Sequence, residues 1–164
     1  TTLFRSPDII VFGMGRYGSR LMRQLRQAGI EVLGIDFDPE TVRELRKLRQ
    51  PVRYGDGEDP GFLESLPLQH ARWVITTFPQ WESNRAFLSA LKEAGFRGRI
   101  AGVVRDEIHG KALDEAGVAR VLNPFNDAAD YAARTFAAEI AFEEAHRVNE
   151  PPEPASPAAN PLSP

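Results

Sequence analysis

Residues 9–29, IIVFGMGRYGSRLMRQLRQAG, join a short apolar run to three glycines spaced Gly-x-Gly-x-x-Gly and then to an amphipathic helical pattern. Three glycines alone are weak evidence, because turns need glycine. Directly after an apolar strand and at the start of a helix, the same pattern reads as a dinucleotide-binding turn. Gly13 permits the tight turn, Gly15 lets backbone approach a pyrophosphate, and Gly18 lets helix and strand pack closely. The helix N-terminus offers unpaired N–H groups and a positive dipole end to phosphate. Gly18, Leu21, Met22, Leu25 and Ala28 form the apolar face of this helix, and Gly29 stops it.

Working outward, strand patterns fall at residues 8–12, 31–35, 52–54, 73–77, 100–104 and 120–122, each spaced to leave room for a crossover helix. Runs such as IIVF, WVIT and IAGVV are apolar almost throughout, as parallel strands covered on both faces require. Asp38-Pro39 and Asp59-Pro60 each supply a capping acceptor followed by a proline suited to a first helical turn. The alternation predicts an α/β fold: a Rossmann-type doubly wound six-stranded parallel sheet, ordered 3-2-1-4-5-6, plus an Ala-rich C-terminal helix. The expected organisation is a linker over 1–7, a nucleotide-binding domain over 8–126, that helix over 127–147, and a disordered Pro-rich tail over 148–164. The helix carries eight alanines with Tyr131, Phe136, Ile140 and Phe142 among them, and reads either as the last packing helix or as a dimerisation or crossover helix. The tail has six prolines and no aromatic residue.

Composition narrows the function classes. A chain of 164 residues, 42% hydrophobic and 26% charged, holds one ordinary domain. Its net charge of -3 gives no global pull toward nucleic acid or anionic lipid. The lack of cysteine excludes disulfides, thiolate metal sites and cysteine nucleophiles. No apolar run approaches the roughly 18 residues of a membrane span. The start, Thr1-Thr2-Leu3, reads as a piece cut from a longer protein.

The second strand ends in Ile35-Asp36, eighteen residues after Gly18, where a carboxylate accepts hydrogen bonds from a ribose diol. Its charge repels a 2′-phosphate, which favours NAD(H) or an adenine nucleotide (AMP, ADP or ATP) and disfavours NADP. Asp36 also suits an ordinary turn, and Asp38 reads as a helix cap. Arg16 sits at the wrong end of the helix dipole. Either it is simply solvated, or a bound phosphate supplies the missing anion.

These residues, with YGDGEDPGFLESL, VITTFPQWESNRAF and VVRDEIHGKALDEAGVARVLNP, resemble a TrkA-N domain, the N-lobe of an RCK or KTN domain. The resemblance runs over residues 8–125 and is closest to the cytosolic domain of KefB/KefC-type cation:proton antiporters. It implies that Gly13, Met14, Gly15, Arg16, Tyr17 and Gly18 form the phosphate-binding turn and that Asp36 and Phe37 stand at the ribose. It further implies that Gly55, Asp56 and Gly57 border the adenine, that Thr76 and Thr77 lie over the nucleotide, and that Arg105 meets its distal end. Gly55-Asp56-Gly57 also reads as a plain turn, Thr76 as strand propensity, and Arg105 as a surface charge pairing with Asp106 or Glu107.

The resemblance implies a cytoplasmic regulatory domain of a potassium or cation transporter, on the inner face of the membrane. Such a domain binds an adenine nucleotide or NAD(H) and gates transport, as a homodimer attached to a transmembrane partner and without nucleic acid. Some antiporter members respond to glutathione. No second lobe follows the final helix in this sequence. The alternative is an NAD-dependent oxidoreductase lacking its substrate domain. His70, His109 and His146 are far apart, no His-Asp or Tyr-x-x-x-Lys arrangement is visible, and no cluster has metal-ligand spacing. The sequence therefore points to a binding module with no catalytic or metal residues.

Overall fold

A computed structural model describes residues 6–147 of the chain. Six strands alternate with six helices. In chain order they are β1 (Ile9–Phe12), α1 (Arg16–Gln27), β2 (Val32–Asp36), α2 (Pro39–Lys47), β3 (Val52–Tyr54), α3 (Pro60–Glu64), β4 (Trp73–Thr76), α4 (Trp81–Glu93), β5 (Arg99–Val103), α5 (Glu107–Glu115), β6 (Arg120–Leu122) and α6 (Pro124–Arg147). The strands form one parallel sheet in the order β3-β2-β1-β4-β5-β6, as the alternating pattern requires.

Strand alternation sends side chains to two layers. Ile9, Val11 and Ile75 pack with Met22 of α1 and Val42 of α2 on one face. Ile10, Phe12 and Val74 pack with Leu63 of α3 and Phe87 and Leu91 of α4 on the other. Leu113 of α5 closes a third cluster with Val104 and Val118. Gly18 and Met22 are the buried residues of α1, whereas Ala28 lies beyond the helix as its C-cap and is exposed. Gly29 turns the chain at φ +81.

The helix punctuation follows side-chain chemistry. Asp38 accepts from the backbone N–H of Glu40 and Thr41, and Asp59 accepts from Gly61 N–H, each with a proline in the first turn behind it. Asp106 caps α5 by accepting from His109 N–H.

Contacts divide the chain at Asp127/Ala128, within α6, into two compact units. In the second unit, α6 buries none of its residues and exposes Tyr131, Phe136, Ile140 and Phe142. The predicted tail at 148–164 and most of the predicted linker lie outside the described residues.

Candidate functional site

Strand order reverses between β1 and β4, and the carboxyl ends of β1, β2, β3 and β4 converge there. In an open α/β sheet this reversal is where a crevice forms. A cleft of about 440 Å³ opens at that point. It is lined from β1 by Phe12 and Gly13, and from β2 by Ile35, Asp36 and Phe37. The segment after β3 contributes Gly55, Asp56, Gly57 and Glu58, and the segment after β4 contributes Phe78, Pro79, Gln80 and Ser83. The volume suits a small-molecule ligand.

The glycine turn is held by hydrogen bonds to its neighbours. Gly13 has φ +90, a conformation L side chains rarely adopt, and its N–H donates to Ile35 O at 2.8 Å. The Thr77 hydroxyl, which a Cβ on Gly13 would overlap, donates to Gly13 O at 2.9 Å with Phe12 O 3.1 Å away. Met14 N–H donates to Asp36 Oδ2 at 2.6 Å, and Asp38 N–H donates to Asp36 Oδ1 at 2.8 Å. A Cβ on Gly18 would overlap the Gly13 carbonyl, so that glycine is set by the close approach of helix to turn. At Gly15 a Cβ would meet none of the described residues within 4 Å. Protein packing therefore gives no reason for glycine at 15. Gly15 is the N-cap of α1, no side chain caps the helix, and its first turn carries no acid. Its first N–H groups therefore have no side-chain acceptor, and its positive dipole end has no carboxylate in its own first turn.

The apolar floor is aromatic. Phe12 and Phe87 meet at 4.6 Å between ring centroids, and Phe78 meets Phe87 edge-on at 5.4 Å. Gly57 is wedged among these three rings, each 3.0–3.2 Å from where its Cβ would stand. The lining carries Asp36, Asp56 and Glu58 and no basic residue, and Asp56 Oδ1 accepts Glu58 N–H at 2.8 Å. The cleft wall is therefore acidic, and Arg16, exposed at the start of α1, lies outside the lining.

Of the residues singled out from sequence, Gly13, Asp36, Phe37, Gly55, Asp56 and Gly57 line the cleft. Gly15 and Arg16 are exposed at the turn, and Met14 is buried behind it. Tyr17 is partly buried, and that burial, reinforced by the charge of Asp127, raises its phenol above the ordinary tyrosine range. Thr76 is not brought to the cleft: it is fully buried, its hydroxyl donates to Asn84 Oδ1 at 2.8 Å and accepts Phe78 N–H at 3.3 Å. Asn84 Nδ2 in turn donates to Phe78 O and Gln80 O, fixing the segment that forms the far cleft wall. Arg105 stands exposed after β5, outside the lining, and forms no ion pair among the described residues.

Sequence reading missed Glu58, Phe78, Pro79, Gln80 and Ser83. Their signal was positional: they follow the ends of β3 and β4, beside the reversal. It also missed a His-Asp pair, because His109 Nδ1 lies 2.7 Å from Asp106 Oδ2. That pair sits at the exposed start of α5 and not in the cleft.

Three comparisons bear on this geometry. The glutathione-regulated potassium-efflux system protein KefC of Escherichia fergusonii is 32% identical over 112 residues, 68% of this chain. The chain spans only 18% of that protein's length. The NAD(P)-binding domain of an exopolyphosphatase-related protein from Archaeoglobus fulgidus superposes with a TM-score of 0.68 at 27% identity, covering 82% of this chain and 97% of that one. The Kef CTD of Shewanella denitrificans, in AMP-bound form, shares the fold with a TM-score of 0.62 at 18% identity, covering 87% and 81%. The model of the TrkA-N domain matches residues 9–124, the whole sheet and the cleft, and the chain belongs to the TrkA-N domain family.

Proposed function

We propose that this domain is a nucleotide sensor: it binds an adenine nucleotide or NAD(H) in the cleft and passes occupancy to a potassium or other cation transport protein. The observation that carries the reading is the link between Asp36 and the glycine turn at the reversal of strand order. One carboxylate lines the cleft and also fixes the turn that opens α1. In this reading the first-turn N–H groups of α1, Arg16 and the open face of Gly15 take the phosphates. Asp36 takes the ribose diol, Asp56 and Gly57 border the base, and Phe37 covers its rim. Met14, Tyr17, Gly18, Thr76 and Thr77 act behind the ligand by fixing the turn and the far wall. Arg105 would touch only a ligand reaching beyond the cleft.

The KefC likeness and the AMP-bound Kef CTD support a regulatory role in potassium transport with an adenine nucleotide as ligand. The NAD(P)-binding neighbour keeps dinucleotides in the panel. Three carboxylates in the lining disfavour the 2′-phosphate of NADP. The domain would work at the cytoplasmic face of the membrane as a homodimer through α6, beside its transmembrane partner. Ligand shifts the attached pore only by its difference in affinity between two states, typically about 1–3 kcal/mol or roughly 5–150-fold. The oxidoreductase reading needs an acid or base beside a nicotinamide, and the His109–Asp106 pair lies elsewhere.

The test is a thermal-shift panel of AMP, ADP, ATP, NAD, NADH and NADPH. At a hundredfold excess over its dissociation constant, a true ligand adds about 2.7 kcal/mol, several degrees for a domain of this size. If no adenine nucleotide shifts the melt, the sensor reading fails. If NADH shifts it and is oxidised in the presence of a small carbonyl compound, the oxidoreductase reading replaces it.

A further inference from the structure

The two faces of the sheet differ in charge. Helix α1 carries Arg16, Arg20, Arg23 and Arg26 and no acidic residue, and α2 adds Arg43, Arg46 and Lys47 against Glu40 and Glu44. These two helices therefore hold seven basic side chains and two acidic ones, on a chain whose net charge is -3. Across the sheet, α4 and α5 carry three basic residues and five acidic ones.

The arginines of α1 are arranged as a stripe. At about 100° per residue, Arg16, Arg20 and Arg23 fall within about 60° of one another, roughly opposite the buried Gly18 and Met22. All four arginines are exposed. Their spacings, i+4 and i+3, place like charges side by side, which destabilises a helix. On α2 the pairs Arg43–Glu40 and Lys47–Glu44 relieve part of the charge, but Arg26 meets only the neutral Gln50. Guanidinium suits phosphodiester oxygens, which it grips with two parallel hydrogen bonds. On the same face Tyr54, on the α2 side of edge strand β3, is 58% exposed, and Leu48, ending α2, is 68% exposed. An exposed leucine and tyrosine beside arginines suit a lipid interface, where apolar bodies sink and polar tips stay wet.

We propose that the α1/α2 face docks on an anionic lipid bilayer, with Arg20, Arg23 and Arg26 of α1 bonding headgroup phosphates and Leu48 with Tyr54 entering the interface. The proposal rests on the reading that the domain serves a membrane transport protein. The acidic α4/α5 face is repelled by the same surface, so docking has one orientation. A duplex would satisfy the arginines through its phosphates but offers no apolar phase to the exposed Leu48 and Tyr54.

The full chain is sedimented with vesicles of phosphatidylcholine alone and of phosphatidylcholine mixed with phosphatidylglycerol. Binding is expected only to the mixture, lost in high salt. The exposed double variant Arg20→Gln/Arg23→Gln is expected to bind about 25-fold more weakly, about fivefold per arginine. Arg85→Gln/Lys92→Gln on α4 should bind no more weakly than the unaltered chain. Equal binding to both vesicle types, no binding, or full binding by the α1 double variant overturns the proposal. So does arginine-dependent binding to duplex DNA without binding to vesicles. Melting with AMP and with NADH is measured on the same samples. A missing shift counts against nucleotide sensing alone, and the vesicle result alone decides the docking.

Discussion

The backbone N–H of Met14 donates to Asp36 Oδ2 at 2.6 Å, tying the middle of the glycine turn to the end of the neighbouring strand. With Oδ1 held by Asp38 N–H, each carboxylate oxygen keeps a lone-pair site for a ribose hydroxyl. Asp36→Ala is therefore expected to do two things. Without nucleotide it loses about 2 kcal/mol, a fall of roughly 5 °C in Tm, because two N–H groups lose a charged acceptor. It also abolishes the shift given by nucleotide. Differential scanning calorimetry with and without ligand reads both, and an unchanged Tm without ligand would show that the turn does not need this carboxylate.

Two glycines three residues apart should fail in opposite ways. Gly15→Val points its side chain into open space, so the fold loses only about 1 kcal/mol from a poorer N-cap while nucleotide binding disappears. Gly18→Ala pushes a methyl group onto the Gly13 carbonyl, and backbone has little room to yield. That variant should lose about 1–3 kcal/mol and melt several degrees lower even without ligand. Urea unfolding paired with nucleotide titration separates the cases, and equal stability losses would sink the distinction.

The buried Thr76–Asn84 hydrogen bond gives a third expectation. Thr76→Val leaves Asn84 Oδ1 without its donor in a fully buried position, at about 1–3 kcal/mol. Thr76→Ser keeps the hydroxyl and recovers most of it. Because the threonine reaches the cleft only indirectly, through Asn84 and the backbone of Phe78, the nucleotide dissociation constant should change less than about threefold, under one kcal/mol. A Thr76→Val variant that keeps its stability but loses nucleotide would place this hydroxyl on the ligand instead.

The contrast between Asp36 and Thr76 marks what sequence can carry. Strand order, the turn and the acid follow from local pattern: apolar runs of strand length, glycines at fixed offsets, a carboxylate ending β2. Boundaries moved by a residue or so, with β2 ending at Asp36 and β5 starting at Arg99. Thr76 and Thr77 are adjacent and chemically alike, yet one faces the core and the other braces Gly13. That difference is the two-residue period of a strand, and only the registered sheet says which face is which. Likewise the wall of Phe78, Pro79, Gln80 and Ser83 has no motif of its own, since it is placed by pairing of β4 with β1.

Acid stability should report the helix caps. Thr41's hydroxyl and Glu40's N–H hold Asp38 below the usual carboxylate range, and the N–H and ring of His109 do the same for Asp106. A carboxylate with a depressed folded pKa adds stability above its unfolded pKa of about 4 and loses it as pH falls through the folded value. Melting temperature should therefore drop below pH ~4, and Asp38→Asn or Asp106→Asn should flatten that drop. Equal slopes in the variants and the unaltered chain would remove the caps from the account.

The apolar surface of α6 yields the last expectation. Phe136 and Ile140, four residues apart, lie on one side of the helix, with Tyr131 and Phe142 nearly opposite. All four are more than half exposed, and two apolar stripes on opposite sides need cover from two directions. A second copy of the helix would supply one of them. Burying a phenylalanine or isoleucine side chain is worth about 1.5–3 kcal/mol, so Phe136→Ser with Ile140→Ser should weaken a dimer at least about 100-fold. Light scattering over a concentration series should show the unaltered chain as a dimer and the double variant as a monomer. The melt should change little, because the substituted residues lie outside the unit that holds the sheet. A chain that stays monomeric at every concentration refutes pairing through α6 and leaves the stripes to the transmembrane partner.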